Sequence, residues 1–334
     1  MPPISAERVT PPEPIRIFIG SSPKNIIEEQ VFRYTLSKHA NSQLELYIID
    51  GTTGSATNLT TQAVKQLPRN LIEAIPGATA FSLARWAIPE WCNYQGRAIY
   101  CDSDQIVLTD IKELWDFDLS GNVVAAVPLT AAKCQPHYKA TIINGLRSDN
   151  EYHLASVMLI DCQQAKIWSL AKIIDWVSQQ KQSGKAPDVM WLGKNFRKSF
   201  QVGVQPLPAG WNHLDWLDAD SRLVHFTDLT SQPWRFHHHP LSSLWEDLFI
   251  EALAEGELTL ETIEAARQAG YICQRVSTLA HLPVEVRTPI NRLWRAWGTF
   301  GSLIVRAVSQ CQQALLSSLR AVRSQLKQLT KATS

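Results

Sequence analysis

The chain has 334 residues, of which 45% are hydrophobic and 19% charged, and its formal net charge is +1. This length can form one large domain or two ordinary ones, and the composition excludes a disordered or collagen-like chain. The near-zero net charge does not indicate a nucleic-acid partner.

The cysteine spacing and the apolar stretches favour a cytoplasmic protein. The six cysteines include no C-x-x-C spacing, which favours reduced thiols over a zinc ribbon or a disulfide framework. The first 14 residues lack the apolar segment of a signal peptide. The longest strongly apolar uncharged stretch, residues 296–305, is shorter than the roughly 20 residues that a membrane-spanning helix needs.

After a Pro-rich N-terminus, residues 1–13, which we expect to be flexible, the chain alternates between predicted strands and helices. In chain order, the pattern predicts strand 15–19, helix 28–38, strand 44–50, helix 81–89, and strands 97–101, 122–127, 156–160 and 200–204. The near-continuous apolar strands predict an α/β fold with a mainly parallel sheet covered by helices. In such sheets, ligands bind at the carboxyl ends of the strands.

Two polar segments follow predicted strands. Gly20-Ser21-Ser22 ends the first strand, and Asp102-Ser103-Asp104 ends the strand at 97–101. In an extended segment, residues i and i+2 point the same way, so the two carboxylates repel each other unless a hard divalent cation lies between them. A solvated turn with two acids is the alternative interpretation of this element.

An ordered set of motifs resembles the donor-binding core of glycosyltransferase family 8. The set consists of Arg85 to Pro89, then Gly96 to Asp104, then Asp110 to Trp115, the strand Ser156 to Asp161, the segment Leu207 to Asn212 and the block His225 to Trp234. The family pattern is roughly R-x-x-[IL]-P, an apolar strand, D-x-D, D-[IL]-x-x-L-[WF], then N-[SA]-G-V-[ML]-L-I-[DN], L-P-x-x-[WF]-N and H-[FY]-x-G-x-x-K-P-W. The resemblance spans residues 15–245.

The resemblance implies a GT-A fold and a nucleotide-diphosphate sugar bound with Mn²⁺ or Mg²⁺. It assigns the metal to Asp102, Asp104 and His225, a donor set that suits Mn²⁺. Its donor-binding residues are Gly20, Ser21, Ser22, Arg85, Asp102, Ser103 and Gln232. By the match, Asp188 faces the sugar hydroxyls as the catalytic-site carboxylate. For His225, the alternative is a buried strand histidine; for Arg85, a surface charge.

Three departures from the pattern affect the donor site. Leu154 occupies the position of the Asn that contacts the sugar, and Pro187-Asp188-Val189 replaces most of a D-Q-D segment. Gln232 replaces a Lys, which removes a positive charge from the diphosphate site. Because of these departures, the family pattern does not predict which sugar the donor carries.

The C-terminal segment is basic. Residues 286–334 contain eight Lys or Arg and no Asp or Glu. Thr288-Pro289 predicts the start of a helix, and apolar residues then recur at spacings of 3 and 4. We expect residues 289–331 to form a basic amphipathic helix on an anionic membrane surface, with docking on the body or self-association as the alternative.

The sequence therefore predicts a GT-A domain over residues 14–250, a helical appendage over 251–285 and a basic tail over 286–334. The predicted enzyme is a metal-dependent, retaining hexosyltransferase that uses a UDP-sugar and an unknown acceptor. Its predicted location is cytoplasmic, on the inner face of the membrane. A non-catalytic sugar-nucleotide-binding relative and a nucleotidyltransferase are the alternatives.

Overall fold

The fold was analysed in a computed structural model, which describes residues 13–67, 81–136, 151–236 and 238–293. The strands in these ranges are β1 (Ile15–Ser21), β2 (Leu44–Asp50), β3 (Ser55–Asn58), β4 (Val64–Gln66), β5 (Arg97–Asp102), β6 (Gln105–Val107), β7 (Val124–Pro128), β8 (His153–Asp161), β9 (Val204–Pro206), β10 (His213–Leu214) and β11 (Leu223–His225). The helices are α1 (Ile26–His39), α2 (Phe81–Ala84), α3 (Ile88–Trp91), α4 (Lys112–Trp115), α5 (Leu170–Gln182), α6 (Lys194–Phe200), α7 (Ser242–Ala254), α8 (Leu260–Gln268) and α9 (Gln274–His281).

The large sheet has the order β4-β3-β2-β1-β5-β8-β7-β9 within the described residues. Both of its faces are covered, because neighbouring residues along β1 belong to different cores. Phe18 packs with Tyr100 and Met158 in one cluster, whereas Ile17 and Ile19 pack in the other. Burial on both faces explains why the strands are near-continuous apolar runs.

The sheet is mixed, which corrects the expectation of a mainly parallel one. The pairings β1/β2, β1/β5 and β7/β9 are parallel, whereas β5/β8, β7/β8, β2/β3 and β3/β4 are antiparallel. A continuous apolar run indicates that both faces of the sheet are buried at that strand. It does not indicate whether the strand is parallel or antiparallel to its neighbours.

A second, three-stranded sheet has the order β10-β11-β6. The chain leaves the large sheet at the end of β5, passes through Ser103 and Asp104, and enters the small sheet as β6. In the antiparallel pair β11/β6, His225 lies opposite Gln105. This junction brings the end of β11 next to the Asp102-Ser103-Asp104 segment.

The strand predicted at 200–204 is wrong. Helix α6 runs to Phe200, and Gln201 ends it with a left-handed backbone (φ 55°) before strand β9 begins at Val204. The helix predicted at 81–89 is present as α2 and α3, with the 3₁₀ turn Arg85–Ala87 between them.

The chain divides into two compact units, residues 1–280 and 281–334. Helix α7 runs across position 250, where the sequence placed a domain boundary.

In the second unit, residues 284–293 are helical, so this helix begins before Thr288, directly after Pro283. Most of the predicted helix 289–331 lies outside the described residues. Within those described, no helix is both long and apolar enough to cross a membrane.

Candidate active site

The two acids of the D-x-D element lie where β5 ends. Asp102 is the last residue of β5 and lies opposite Gly20 of β1. The Tyr100 hydroxyl donates a hydrogen bond to Oδ1 of Asp102. Buried Ser103 donates its backbone N–H to the Gly20 carbonyl over 3.1 Å. These contacts fix the direction in which the following residue, Asp104, leaves the sheet.

His225 completes a candidate metal centre with the two acids. Its Nε2 lies 3.0 Å from Oδ1 of Asp104. One ligand atom from each of Asp102, Asp104 and His225 lies within 4.8 Å of the others. The D-x-D segment and this histidine are separated by more than 100 residues in the sequence, and the junction between the two sheets brings them together.

Asn212 orients the His225 ring. Its Oδ1 lies 3.2 Å from Nδ1 of His225, and its Nδ2 donates to Oγ of Ser156 over 2.8 Å. Because the amide oxygen can only accept, Nδ1 of His225 carries the proton in this bond. In the neutral ring, the lone pair is then on Nε2, which faces Asp104. A hydrogen bond of this kind is typical support for a metal-binding histidine.

The charges of the centre influence each other's protonation. Burial of the His225 ring lowers its pKa, but the carboxylates of Asp104 and Asp102 outweigh this effect, so the pKa is raised above its usual value. Loss of solvent raises the pKa of Asp102, and the charge of Asp104 adds to the rise while Arg85 opposes it. Both shifts favour the protonated forms of His225 and Asp102, so a cation that binds these groups would compete with protons.

A cavity of about 140 Å³ adjoins this centre. Arg85, only 4% exposed, lies 4.6 Å from the centroid of the Tyr100 ring and donates to the carbonyls of Ser82 and Ala155. The guanidinium is thus held in place at the cavity. The cavity is lined by Arg85, Asp102, Leu154, Ala155, Ser156, Met190, Trp191, Leu214, His225 and Thr227.

The predicted loop after β1 lies beside Asp102. At Gly20, a Cβ would lie 2.3 Å from the Tyr100 hydroxyl, so only glycine admits the tyrosine that contacts Asp102. Ser21 is buried, and Ser22 donates from Oγ to Oδ1 of Asn25 over 2.5 Å. The loop therefore lies at the same end of the parallel strands β1 and β5 as Asp102 and Asp104.

Gln232 lies within reach of the same centre. Its side-chain amide donates to the Phe226 carbonyl over 3.0 Å, and it lies 3.5 Å from Oδ2 of Asp104. Gln232 therefore supports Asp104 without bringing a charge.

Asp188 lies in a different setting from the other predicted site residues. Its carboxylate accepts the backbone N–H groups of Asn195 and Phe196, each over 2.9 Å, at the start of α6. A Cβ at Gly193 would lie 2.3 Å from Asp188, so this loop is closely packed. From this segment, Met190 and Trp191 line the cavity. Contact between Asp188 and a sugar stays a prediction.

Sequence reasoning missed two supporting residues, Tyr100 and Asn212. Tyr100 precedes Asp102 by two positions, so the period-2 rule that paired Asp102 with Asp104 could also have placed Tyr100 on that side. Asn212 ends the segment Leu207 to Asn212, but nothing in the sequence pairs it with His225.

Comparison with known proteins identifies the family. The sequence model of glycosyl transferase family 8 matches residues 36–237, more than half of the chain. The chain belongs to this family. A curated relative, Protein CDI of Arabidopsis thaliana, is 31% identical over 104 residues, which is 31% of this chain and 37% of that protein. The chain thus matches little more than a third of that relative's length.

The fold also has solved counterparts. The galactosyltransferase LgtC, crystallised with donor and acceptor sugar analogues, is 17% identical, with a TM-score of 0.51 over 70% of this chain and 95% of LgtC. An active-site mutant of LgtC is 16% identical, with the same TM-score and the same coverage. At this level of identity, the similarity shows the GT-A fold alone. It confirms the predicted α/β class.

Proposed function

We propose that this family 8 enzyme is a metal-dependent, retaining hexosyltransferase that uses a UDP-sugar. The observation that carries the proposal is the convergence of Asp102, Asp104 and His225 within 4.8 Å beside a cavity that Arg85 lines. Two carboxylates and one imidazole are ligands that Mn²⁺ accepts, and Mg²⁺ is the alternative ion.

When bound, the metal would neutralise the charge of the leaving diphosphate. We propose that side chains of this protein orient the metal ligand and bind the phosphate, the sugar and the nucleoside. Asn212 holds the Nε2 lone pair of His225 toward the ion, and Arg85 donates to the phosphate or to the sugar. The loop from Gly20 to Ser22 contacts the nucleoside, and Asp188 stays assigned to the sugar hydroxyls.

Retention of the anomeric configuration is proposed from the resemblance to retaining transferases of this fold, and the lining of the cavity limits the route by which it could occur. Among its described lining residues, Asp102 is the only carboxylate, and it is assigned to the metal. Asp188, which the proposal assigns to the sugar hydroxyls, is not among these described lining residues, so the proposal gives no carboxylate the role of a nucleophile. We propose that the acceptor attacks the face from which the diphosphate leaves, which requires positioning more than a covalent intermediate.

The direct experiment is a donor screen. Purified protein with Mn²⁺ is incubated with several UDP- and GDP-sugars, and sugar transfer or hydrolysis is followed by mass spectrometry. We expect turnover of a UDP-sugar that EDTA abolishes, with the configuration of the product established by NMR. Activity that is indifferent to EDTA would contradict the metal role.

Other outcomes of the screen would favour the alternatives. Thermal stabilisation by UDP and Mn²⁺ without turnover of any donor would favour a sugar-nucleotide-binding relative. Release of pyrophosphate from a nucleoside triphosphate and a sugar phosphate would favour a nucleotidyltransferase.

We also propose a membrane-linked acceptor, reached from an anionic membrane surface through residues 289–331. The basis is the charge pattern of the tail, with eight basic and no acidic side chains over residues 286–334. The full chain should sediment with vesicles that contain phosphatidylserine, and Arg306→Glu with Arg320→Glu should weaken this binding. Equal binding to neutral vesicles, or no binding, would contradict the proposal.

A further inference from the structure

A second histidine–carboxylate pair lies near the metal centre, outside the predicted site. Nε2 of His239 lies 2.9 Å from Oδ1 of Asp215, and each side chain is 1% exposed. Asp215 follows β10, and its backbone N–H donates to the His225 carbonyl over 2.9 Å. The pair is therefore attached directly to the strand that carries the metal-binding histidine.

The hydrogen bonds of His239 determine where its proton lies. The backbone N–H of Leu241 donates to Nδ1 over 3.0 Å, so Nδ1 is an acceptor and carries no proton. The proton of the neutral ring is then on Nε2, which donates it to Asp215. The ring thus acts as a fixed donor to one carboxylate oxygen.

The second oxygen of Asp215 holds Thr227. Oγ1 of Thr227 donates to Oδ2 over 2.6 Å, and the backbone N–H of Asp228 donates to the same oxygen over 3.2 Å. A carboxylate can only accept, so the single hydroxyl proton of Thr227 is committed to Asp215. The remaining lone pairs of Oγ1 can only accept hydrogen bonds.

Thr227 also lines the cavity, together with Asp102 and His225. Since the metal centre would bind the diphosphate, the sugar attached to that diphosphate occupies the space beside it. A hydroxyl of the sugar can donate to an oxygen that only accepts.

We propose that Thr227 is a specificity-determining residue that accepts a hydrogen bond from a hydroxyl of the donor sugar. Asp215 and His239 are positioning residues that commit the Thr227 proton and orient its oxygen. The inference rests on the proposed function, because it needs a nucleotide sugar in this cavity.

Calorimetric titration with UDP and with UDP-sugars, each with Mn²⁺, tests the inference. The probes are UDP-glucose and UDP-galactose, and the quantity is the ratio of the UDP-sugar affinity to the UDP affinity. We expect Thr227→Val, which keeps the shape and removes the oxygen, to lower this ratio by about three- to tenfold for the preferred sugar, as loss of one hydrogen bond does. Thr227→Ser should keep the wild-type ratio.

The positioning role has its own pair of variants. His239→Leu removes the donor to Asp215 and should lower the same ratio, whereas His239→Gln can still donate to Asp215 and should preserve most of it. Affinity for UDP alone should stay unchanged in both variants. Circular dichroism checks that each variant is folded, and Thr227→Ala provides a second test if Thr227→Val is not.

The outcomes separate this inference from the proposed function. If the wild-type protein binds neither UDP nor a UDP-sugar with Mn²⁺, the proposed function fails and the inference fails with it. If UDP binds but Thr227→Val leaves the ratio unchanged, or weakens UDP and the UDP-sugars equally, only the inference is overturned. A wild-type protein that binds UDP and UDP-sugars equally well would also overturn it.

Discussion

Two histidine–carboxylate pairs lie close together in this protein, joined by the hydrogen bond from the Asp215 backbone N–H to the His225 carbonyl, with nearly equal separations and different surroundings. The His225–Asp104 pair is 3.0 Å apart, and the His239–Asp215 pair is 2.9 Å apart. Asp104 faces a second carboxylate, whereas Asp215 accepts hydrogen bonds from Thr227, Asp228 and His239. The two negative charges at the first pair favour a bound cation. In the second pair, the oxygens of Asp215 already accept hydrogen bonds from the protein.

The comparison shows that residue type and distance do not by themselves indicate a metal site. A single carboxylate that accepts several hydrogen bonds from neutral donors has no need of a cation. Asp102 and Asp104 also have neutral donors, Tyr100 and Gln232, but these donors do not cancel the repulsion between two adjacent negative charges, and a cation does. His239 also uses Nδ1 to accept a backbone N–H, whereas His225 uses Nδ1 to donate to Asn212. The direction of this one bond decides which nitrogen can bind an ion.

The largest expected effect is loss of turnover in Asp104→Ala. Removing one of the two acids eliminates a metal ligand, so Mn²⁺-dependent transfer should fall by about a thousandfold or more. The matched control is Asp116→Ala at an exposed acid paired with Lys112 on the surface, which should keep wild-type activity. The measurement is the initial rate of sugar transfer. If Asp104→Ala kept wild-type activity, the claim that the His225–Asp104 pair binds a metal and the His239–Asp215 pair does not would be contradicted.

The next effect concerns the saturated pair. His239→Leu removes a donor from a buried carboxylate, and the free energy of unfolding should fall by about 1.5–3 kcal/mol. Urea denaturation gives this value. Mn²⁺ affinity in the presence of UDP should change by less than about threefold, because His239 is not one of the three proposed ligands. A loss of Mn²⁺ affinity as large as that of a ligand mutant would show that both pairs bind the metal.

Asn212→Leu should weaken the metal centre without removing a ligand. Loss of the bond to Nδ1 frees the His225 ring to rotate or change tautomer, so Mn²⁺ affinity should fall by about 10- to 100-fold. Asn195→Leu, at an exposed asparagine of α6, is the control. Calorimetric titration with Mn²⁺ in the presence of UDP measures both, and equal affinities would argue that His225 is oriented by other contacts.

The smallest effect is a pH dependence of metal binding. Because the pKa values of His225 and Asp102 are both raised, these groups keep their protons to higher pH in the metal-free protein. Mn²⁺ must displace those protons, so its affinity should increase as pH rises. Titrations between about pH 6 and pH 8 should show a loss of up to about tenfold per unit toward acid. A flat profile would show that no protonated ligand competes with the ion.

The sequence was sufficient to predict the site residues that belong to a local pattern or to a matched motif. An apolar strand followed by Asp102 and Asp104 predicts two carboxylates at a sheet edge, and the matched motifs predicted His225. The structure confirms that the three lie together. It also confirms the α/β class and the strand at residues 44–50.

The sequence was insufficient where contacts depend on how distant segments pack. Nothing in the pattern pairs Asn212 with His225, or Asp215 with His239 and Thr227. The neighbouring histidines at positions 238 and 239 also have different surroundings that their adjacency in the sequence does not predict, since His239 is buried against Asp215 and His238 is exposed. Strand direction was also missed, since burial on both faces gives the same apolar pattern in parallel and antiparallel strands.

The central claim is that one cation binds Asp102, Asp104 and His225 together. A crystal of the enzyme grown with UDP and Mn²⁺ tests it through the anomalous scattering of manganese. The account predicts one strong peak within coordination distance of a carboxylate oxygen of each acid and of Nε2 of His225. A peak elsewhere, or UDP bound in the cavity with His225 and Asp104 still hydrogen-bonded to each other, would contradict it.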